Sequence, residues 1–194
     1  MIDTKKNTAV VFPGQGSQVI GMGADLYEKS SIAKDIFDEV DDTLGRKLTD
    51  IVFSGSQEIL NKTENAQPAI TATSLACFSV FKNKYKDFTP SVTAGHSLGE
   101  YTSLSASNAL SVSDTIRLVS ERGRLMQIAC DKNPGGMVAI IGMEIDVVEE
   151  VCREAGAYPS NINSSQQVII SGDNDSLAIA VDFCLLYTSD AADE

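Results

Sequence analysis

One run of five residues, Gly95-His96-Ser97-Leu98-Gly99, constrains this chain more than any other. A short apolar pattern from Ser91 to Gly95 leads into it, and a helical pattern from Leu98 to Ala109 leads out. Together they fit G-x-S-x-G, in which a strand turns sharply into a helix with a serine at the apex. The glycines let the backbone crowd there, and the helix N-terminus lies beneath the serine.

The remaining segments extend the same alternation. Thr8 to Phe12 reads as a buried strand ended by Pro13-Gly14, and Ile32 to Leu44 as a helix. Thr63 to Phe81 reads as another helix, with Pro68 tolerable near its start. Asp114 to Cys130 is amphipathic, with Ser113 or Asp114 as its cap. Strands followed by helices predict an α/β fold with a mostly parallel sheet. After Asn133-Pro134-Gly135-Gly136 the texture changes. A strand (Met137 to Gly142), a helix (Ile145 to Ala155), a second strand (Gln167 to Ser171) and a helix beginning at Asp175 make most of a ferredoxin-like βαββαβ unit. Its closing strand has no candidate in Leu185 to Glu194.

Composition removes several function classes. At 194 residues and 43% hydrophobic, the chain can bury a core without disulfides or metals. No apolar run approaches the roughly 20 residues of a membrane helix, and no secretory signal precedes the first strand, so a cytoplasmic location is expected. Acidic residues outnumber basic ones 27 to 15, and a net charge of -12 repels nucleic-acid backbones. The four cysteines lack C-x-x-C spacing, which argues against zinc or a redox dithiol and for buried, reduced thiols.

Three further features bear on chemistry. Pro13-Gly14-Gln15-Gly16-Ser17 resembles a phosphate loop, but Val19 occupies the third glycine position of a dinucleotide fingerprint. Met22-Gly23 likewise replaces the Lys and Ser/Thr of a Walker loop. A plain tight turn, or a loop offering backbone N–H groups to an oxyanion, remains. Arg122 shares a helix face with Thr115, Leu118, Val119, Leu125, Met126 and Ala129. That apolar face is expected to be buried, where a guanidinium needs an anionic partner, supplied by an internal carboxylate or a ligand, or must reach out along its stem. His96 is the one histidine, but a residue adjacent to the serine on a sharp turn points elsewhere and reads as packing. The residues offer a nucleophile without a base.

Several segments together resemble the malonyl-CoA:acyl carrier protein transacylases of fatty-acid synthesis, the FabD family. They are Val11 to Gln18, Asn65-Ala66-Gln67-Pro68-Ala69, Ala94 to Tyr101, Arg117-Leu118-Val119 with Arg122-Gly123, and Asn161 to Ser164 with Val168 to Gly172. Gln166 stands where the family commonly has glycine. The resemblance implies an α/β-hydrolase-like large subdomain carrying a ferredoxin-like small one, both incomplete here. Residues 1–133 would form the large part, 134–184 the small part, and 185–194 a non-family tail. It implies Ser97 as nucleophile, the N–H groups of Gln15 and Leu98 as oxyanion hole, and Arg122 and Gln67 as substrate-binding residues. It also implies malonyl-CoA as substrate without a cofactor or metal, acyl carrier protein as partner, and a monomeric full-length enzyme. The family's histidine base lies downstream of the small subdomain and has no counterpart in this sequence. The chain is therefore expected to be an N-terminal part with little transacylase activity. An acyltransferase domain of a polyketide synthase shares the same motifs, and a serine esterase would explain Gly95 to Gly99 while leaving Arg122 unexplained.

Overall fold

A computed structural model describes residues 7–190. The chain divides into two compact units, the first ending at Ile128 and the second beginning at Ala129. In the first unit β1 (Ala9–Phe12) pairs in parallel with β2 (Val92–Gly95), and Phe12 lies opposite Gly95. Both expected strands are present. Around them run α1 (Ala24–Lys29), α2 (Ser31–Leu44), α3 (Leu48–Ser54), α4 (Gln57–Asn61), α5 (Thr63–Lys84), α6 (Leu98–Ala106) and α7 (Val112–Lys132).

The core gathers around α5, which is buried on every side from Asn65 to Ala72. Its alanines Ala69, Ala72 and Ala76 admit Phe37 and Val40 of α2, and Val52, Leu98, Ile116 and Val119 complete the cluster. Pro68 removes the N–H that would bond the Glu64 carbonyl one turn earlier. Arg46 Nη2 donates to that carbonyl instead, at 3.4 Å. Gln127 Oε1 of α7 accepts from the Thr63 N–H at 3.1 Å, satisfying one donor of the α5 N-terminus.

Several helix ends differ from the sequence reading, and α5 runs on to Lys84 rather than Phe81. α6 stops at Ala106 rather than Ala109, and Asn108 turns the chain with a φ of 61°. α7 starts earlier than expected, and its cap is Ser111, not Ser113 or Asp114. The Ser111 hydroxyl accepts from the Asp114 N–H at 3.0 Å.

The second unit is an antiparallel sheet of β3 (Gly135–Ile141), β4 (Tyr158–Ser164) and β5 (Gln167–Asp173) in the order β3-β5-β4, with α8 (Ile145–Ala155) and α9 (Asn174–Asp190). This βαββα order, with β5 between the other two, follows the ferredoxin-like pattern. β4 was not expected from the sequence, and α9 runs past Cys184. Alternation on β5 buries Val168 and Ile170 against Val148, Val151 and Cys152 of α8 and Leu177 and Ala180 of α9. The expectation of four buried thiols holds for Cys152 and Cys184 only. Cys77 and Cys130 are exposed, because they face outward on α5 and in the last turns of α7; none of the four is in a disulfide.

Candidate active site

Ser97 is the apex of the strand-to-helix turn. It is the second residue after β2 and adopts φ 52°, ψ -103°, a conformation that a residue with a side chain occupies only when its surroundings enforce it. The two flanking glycines are required by contact. A Cβ on Gly95 would strike the backbone of Gly99 and Glu100, and one on Gly99 would strike the Phe12 carbonyl. Gly99 therefore lets α6 press directly against the end of β1.

The parallel register brings the loops after β1 and β2 out of the same end of the sheet, where α/β proteins assemble their sites. The His96 N–H donates to the Phe12 carbonyl at 3.2 Å and extends that pairing into the turn. Leu98 is the first residue of α6, so its N–H has no acceptor within the helix, while its side chain is buried in the core. Gln15 sits on the loop after β1 and donates from Nε2 to Thr63 Oγ1 at 3.2 Å.

Side-chain amides hold this loop. Gln18 Oε1 accepts from the Gly16 N–H at 2.8 Å, and Gln18 Nε2 donates to Asn61 Oδ1 at 3.0 Å. Gln57 donates to the same Asn61 oxygen at 2.8 Å and accepts from the Ile20 N–H at 3.3 Å. Gln57 and Asn61 carry no motif, and the sequence reading missed them.

Arg122 reaches Ser97 from α7. Its Nη2 donates to Ser97 Oγ at 2.9 Å and its Nη1 to Gln67 Oε1 at 2.7 Å. Arginine only donates, so the Gln67 oxygen must face it and the Gln67 NH₂ must point away. That NH₂ meets Met126 Sδ at 3.1 Å. The guanidinium also lies 5.9 Å from the centre of the Tyr101 ring. No ion pair among the described residues includes Arg122. Its partners are neutral, which removes the internal carboxylate considered for it.

The face around Arg122 is also less buried than its apolar composition predicts. Thr115 and Val119 are fully buried, but Leu118, Leu125 and Met126 are exposed, and Arg122 itself is half-buried. The buried stripe of α7 runs through Thr115, Ile116, Val119 and Gly123 instead. His96 packs against Gly14, whose added Cβ would come within 2.9 Å of the imidazole Nδ1. The structure thus brings Ser97, Arg122 and Gln67 into contact. It places Leu98 beside them, and Gln15 on the adjoining loop.

A family model described as the acyl transferase domain matches residues 9–186. The chain belongs to the acyl transferase domain family. Malonyl CoA-acyl carrier protein transacylases resemble it closely. The one from Bacillus subtilis is 46% identical, over 84% of this chain and 53% of its own length. The one from Haemophilus influenzae is 43% identical, over 92% of this chain and 59% of its own. Among solved structures, a malonyl-transacylase in complex with a type II PKS acyl-carrier protein superposes with a TM-score of 0.87 at 40% identity, covering 94% of this chain and 60% of that one. An acyl-carrier-protein-S-malonyltransferase from Bartonella henselae gives 0.86 at 39% identity, with the same coverages. This acyl transferase domain chain thus spans little more than half the length of the relatives it matches. Among its described residues no group of three His, Cys, Asp or Glu side chains could hold a metal ion, and no helix is long and apolar enough to cross a membrane.

Proposed function

We propose that this acyl transferase domain takes a malonyl group from CoA onto Ser97 and passes it to the phosphopantetheine thiol of acyl carrier protein, in fatty-acid synthesis. The observation that carries the reading is the Arg122 guanidinium, 2.9 Å from Ser97 Oγ and without a carboxylate of its own. A cation lacking an anion beside a nucleophile suits an acyl group that ends in a carboxylate, which a planar fork binds bidentately. Acetyl would leave the fork unpaired, and an esterase would have no use for it.

In the first half-reaction Ser97 Oγ forms a bond to the thioester carbon while its proton passes to a base. The carbonyl oxygen becomes an oxyanion facing the Leu98 and Gln15 N–H groups, and collapse breaks the C–S bond to release CoA. The base then gives that proton to the CoA thiolate. In the second half-reaction it takes the proton of the carrier thiol, whose sulfur attacks the malonyl-serine ester, and returns it to Ser97 Oγ as the C–O bond breaks. Ser97 Oγ accepts from Arg122 Nη2, and the His96 imidazole packs against Gly14.

Gln67 is fully buried and holds Arg122 Nη1, which supports its part in substrate binding. Four cysteines outside any disulfide support a reducing, cytoplasmic setting. The relative solved with a type II PKS acyl-carrier protein supports a second reading, in which the receiving carrier belongs to polyketide synthesis.

The test is prolonged incubation with malonyl-CoA or acetyl-CoA, followed by peptide mass spectrometry. Malonylation at Ser97 should exceed acetylation, and Arg122→Ala should erase the preference. Equal labelling by both thioesters in the unaltered chain would overturn the reading.

A further inference from the structure

We propose that Arg122 latches Ser97, and that a carboxylate-bearing acyl group is what releases the hydroxyl for acylation. This rests on the reading of Ser97 and Arg122 just given and adds a second function to the same guanidinium.

The contact has a fixed sense. Guanidinium nitrogens only donate, so at 2.9 Å Arg122 Nη2 occupies a lone pair of Ser97 Oγ. A hydrogen bond from a cation is stronger than a neutral one and withdraws electron density from the oxygen that must attack. The arginine is also held in place. Nη1 is tied to Gln67, Gln67 is fully buried and backed by Met126, and the Tyr101 ring lies alongside. Ser97 for its part is confined by its left-handed backbone between two glycines, so neither partner drifts away unaided.

An acyl group without a carboxylate must break this bond and leave the half-buried fork with one acceptor fewer. A malonyl group brings two oxygens of full negative charge and replaces the serine contact with a better one. Discrimination therefore enters the chemical step as well as binding, because the hydroxyl is freed only for acyl groups that satisfy the arginine.

The latch can be read without the transfer reaction. Methanesulfonyl fluoride is small, neutral and free of carboxylate. Ser97 Oγ displaces its fluoride in forming an S–O bond, and the serine proton goes to hydroxide. Formate pairs with a guanidinium while filling little of the site. On the intact 194-residue chain at constant ionic strength, saturating formate should raise the rate of Ser97 sulfonylation roughly tenfold, the worth of one hydrogen bond to a charged group. Chloride should not. In Arg122→Met the rate should already be high and indifferent to formate.

A parent rate unchanged or lowered by formate overturns the latch, as does slower labelling in the variant. The formate arm uses unaltered protein, so it stands even if the variant misfolds. Calorimetric titration with malonyl-CoA and acetyl-CoA separates the two ideas. A formate effect with no malonyl preference in binding supports the latch and removes carboxylate selection; a malonyl preference without the formate effect overturns the latch alone.

Discussion

At Gly99, one missing methyl group sets how closely α6 can approach β1. Gly99→Ala places a Cβ against the Phe12 carbonyl, which is backbone and has little room to retreat. Urea denaturation should show a loss of about 1–3 kcal/mol, as for other overpacked sites, together with loss of Ser97 reactivity as the turn opens. Gln67 tests a different dependence. Gln67→Leu keeps the bulk but leaves Arg122 Nη1 without its oxygen. The expected loss is about 1–3 kcal/mol, the penalty for stranding a partly buried donor, and the malonyl-over-acetyl binding ratio should fall with it. Ser97 and its glycines were legible because their geometry is local to five residues. Arg122 stood out as a cation on an apolar face. The amides that fix its surroundings were only partly visible. Gln67 came forward through family likeness, whereas Gln57 and Asn61 act through bonds to a loop some 40 positions away in sequence, which no short-range pattern encodes.

Elements with a strong period were read nearly residue for residue, and those built by their neighbours were not. α8 runs from Ile145 to Ala155 as its apolar spacing predicts. β4 escaped because Tyr158–Ser164 is polar, largely exposed and contains Pro159. Its register with β5 slips between Pro159 and Asn161, so pairing with β5 rather than its own alternation makes it a strand. α1, α3 and α4 are single or double turns and too short to show a period. The start of α9 yields a pH prediction. Asp173 accepts from the Ser176 N–H at 2.8 Å and from its hydroxyl at 3.0 Å, and the backbone bond chiefly holds its carboxyl below the usual range. A depressed carboxyl contributes stability that is complete above the unfolded value of about 4 and lost as pH falls through the lower folded value. Amide exchange in the first turn of α9 should therefore stay slow down to that unfolded value and quicken only below it. Asp173→Ala should quicken it at neutral pH as well.

For the molecule as a whole, the second unit's sheet leaves apolar groups in water. Met137, Ile141, Tyr158 and Ile162 are each more than half exposed, and the outer edge of β3 meets no strand among the described residues. An uncharged edge strand with a bare apolar face invites pairing between copies. The chain is expected to associate with rising concentration in light scattering, and Ile141→Lys should suppress this while changing stability by no more than about 0.5 kcal/mol. The first unit has a different large-scale property. Because Phe12 and Gly95 are partners in one parallel ladder, the spacing between the loop that carries Gln15 and the turn that carries Ser97 is a rung of backbone hydrogen bonds. It behaves like a caliper whose hinge is backbone, while the amides of Gln18, Gln57 and Asn61 steady one of its jaws. The exposed positions Ala9, Val11, Val92 and Ala94 could then be varied among β-compatible types for solubility or expression while the caliper keeps its opening, with Val10 and the Ser103-bonded Thr93 left in place.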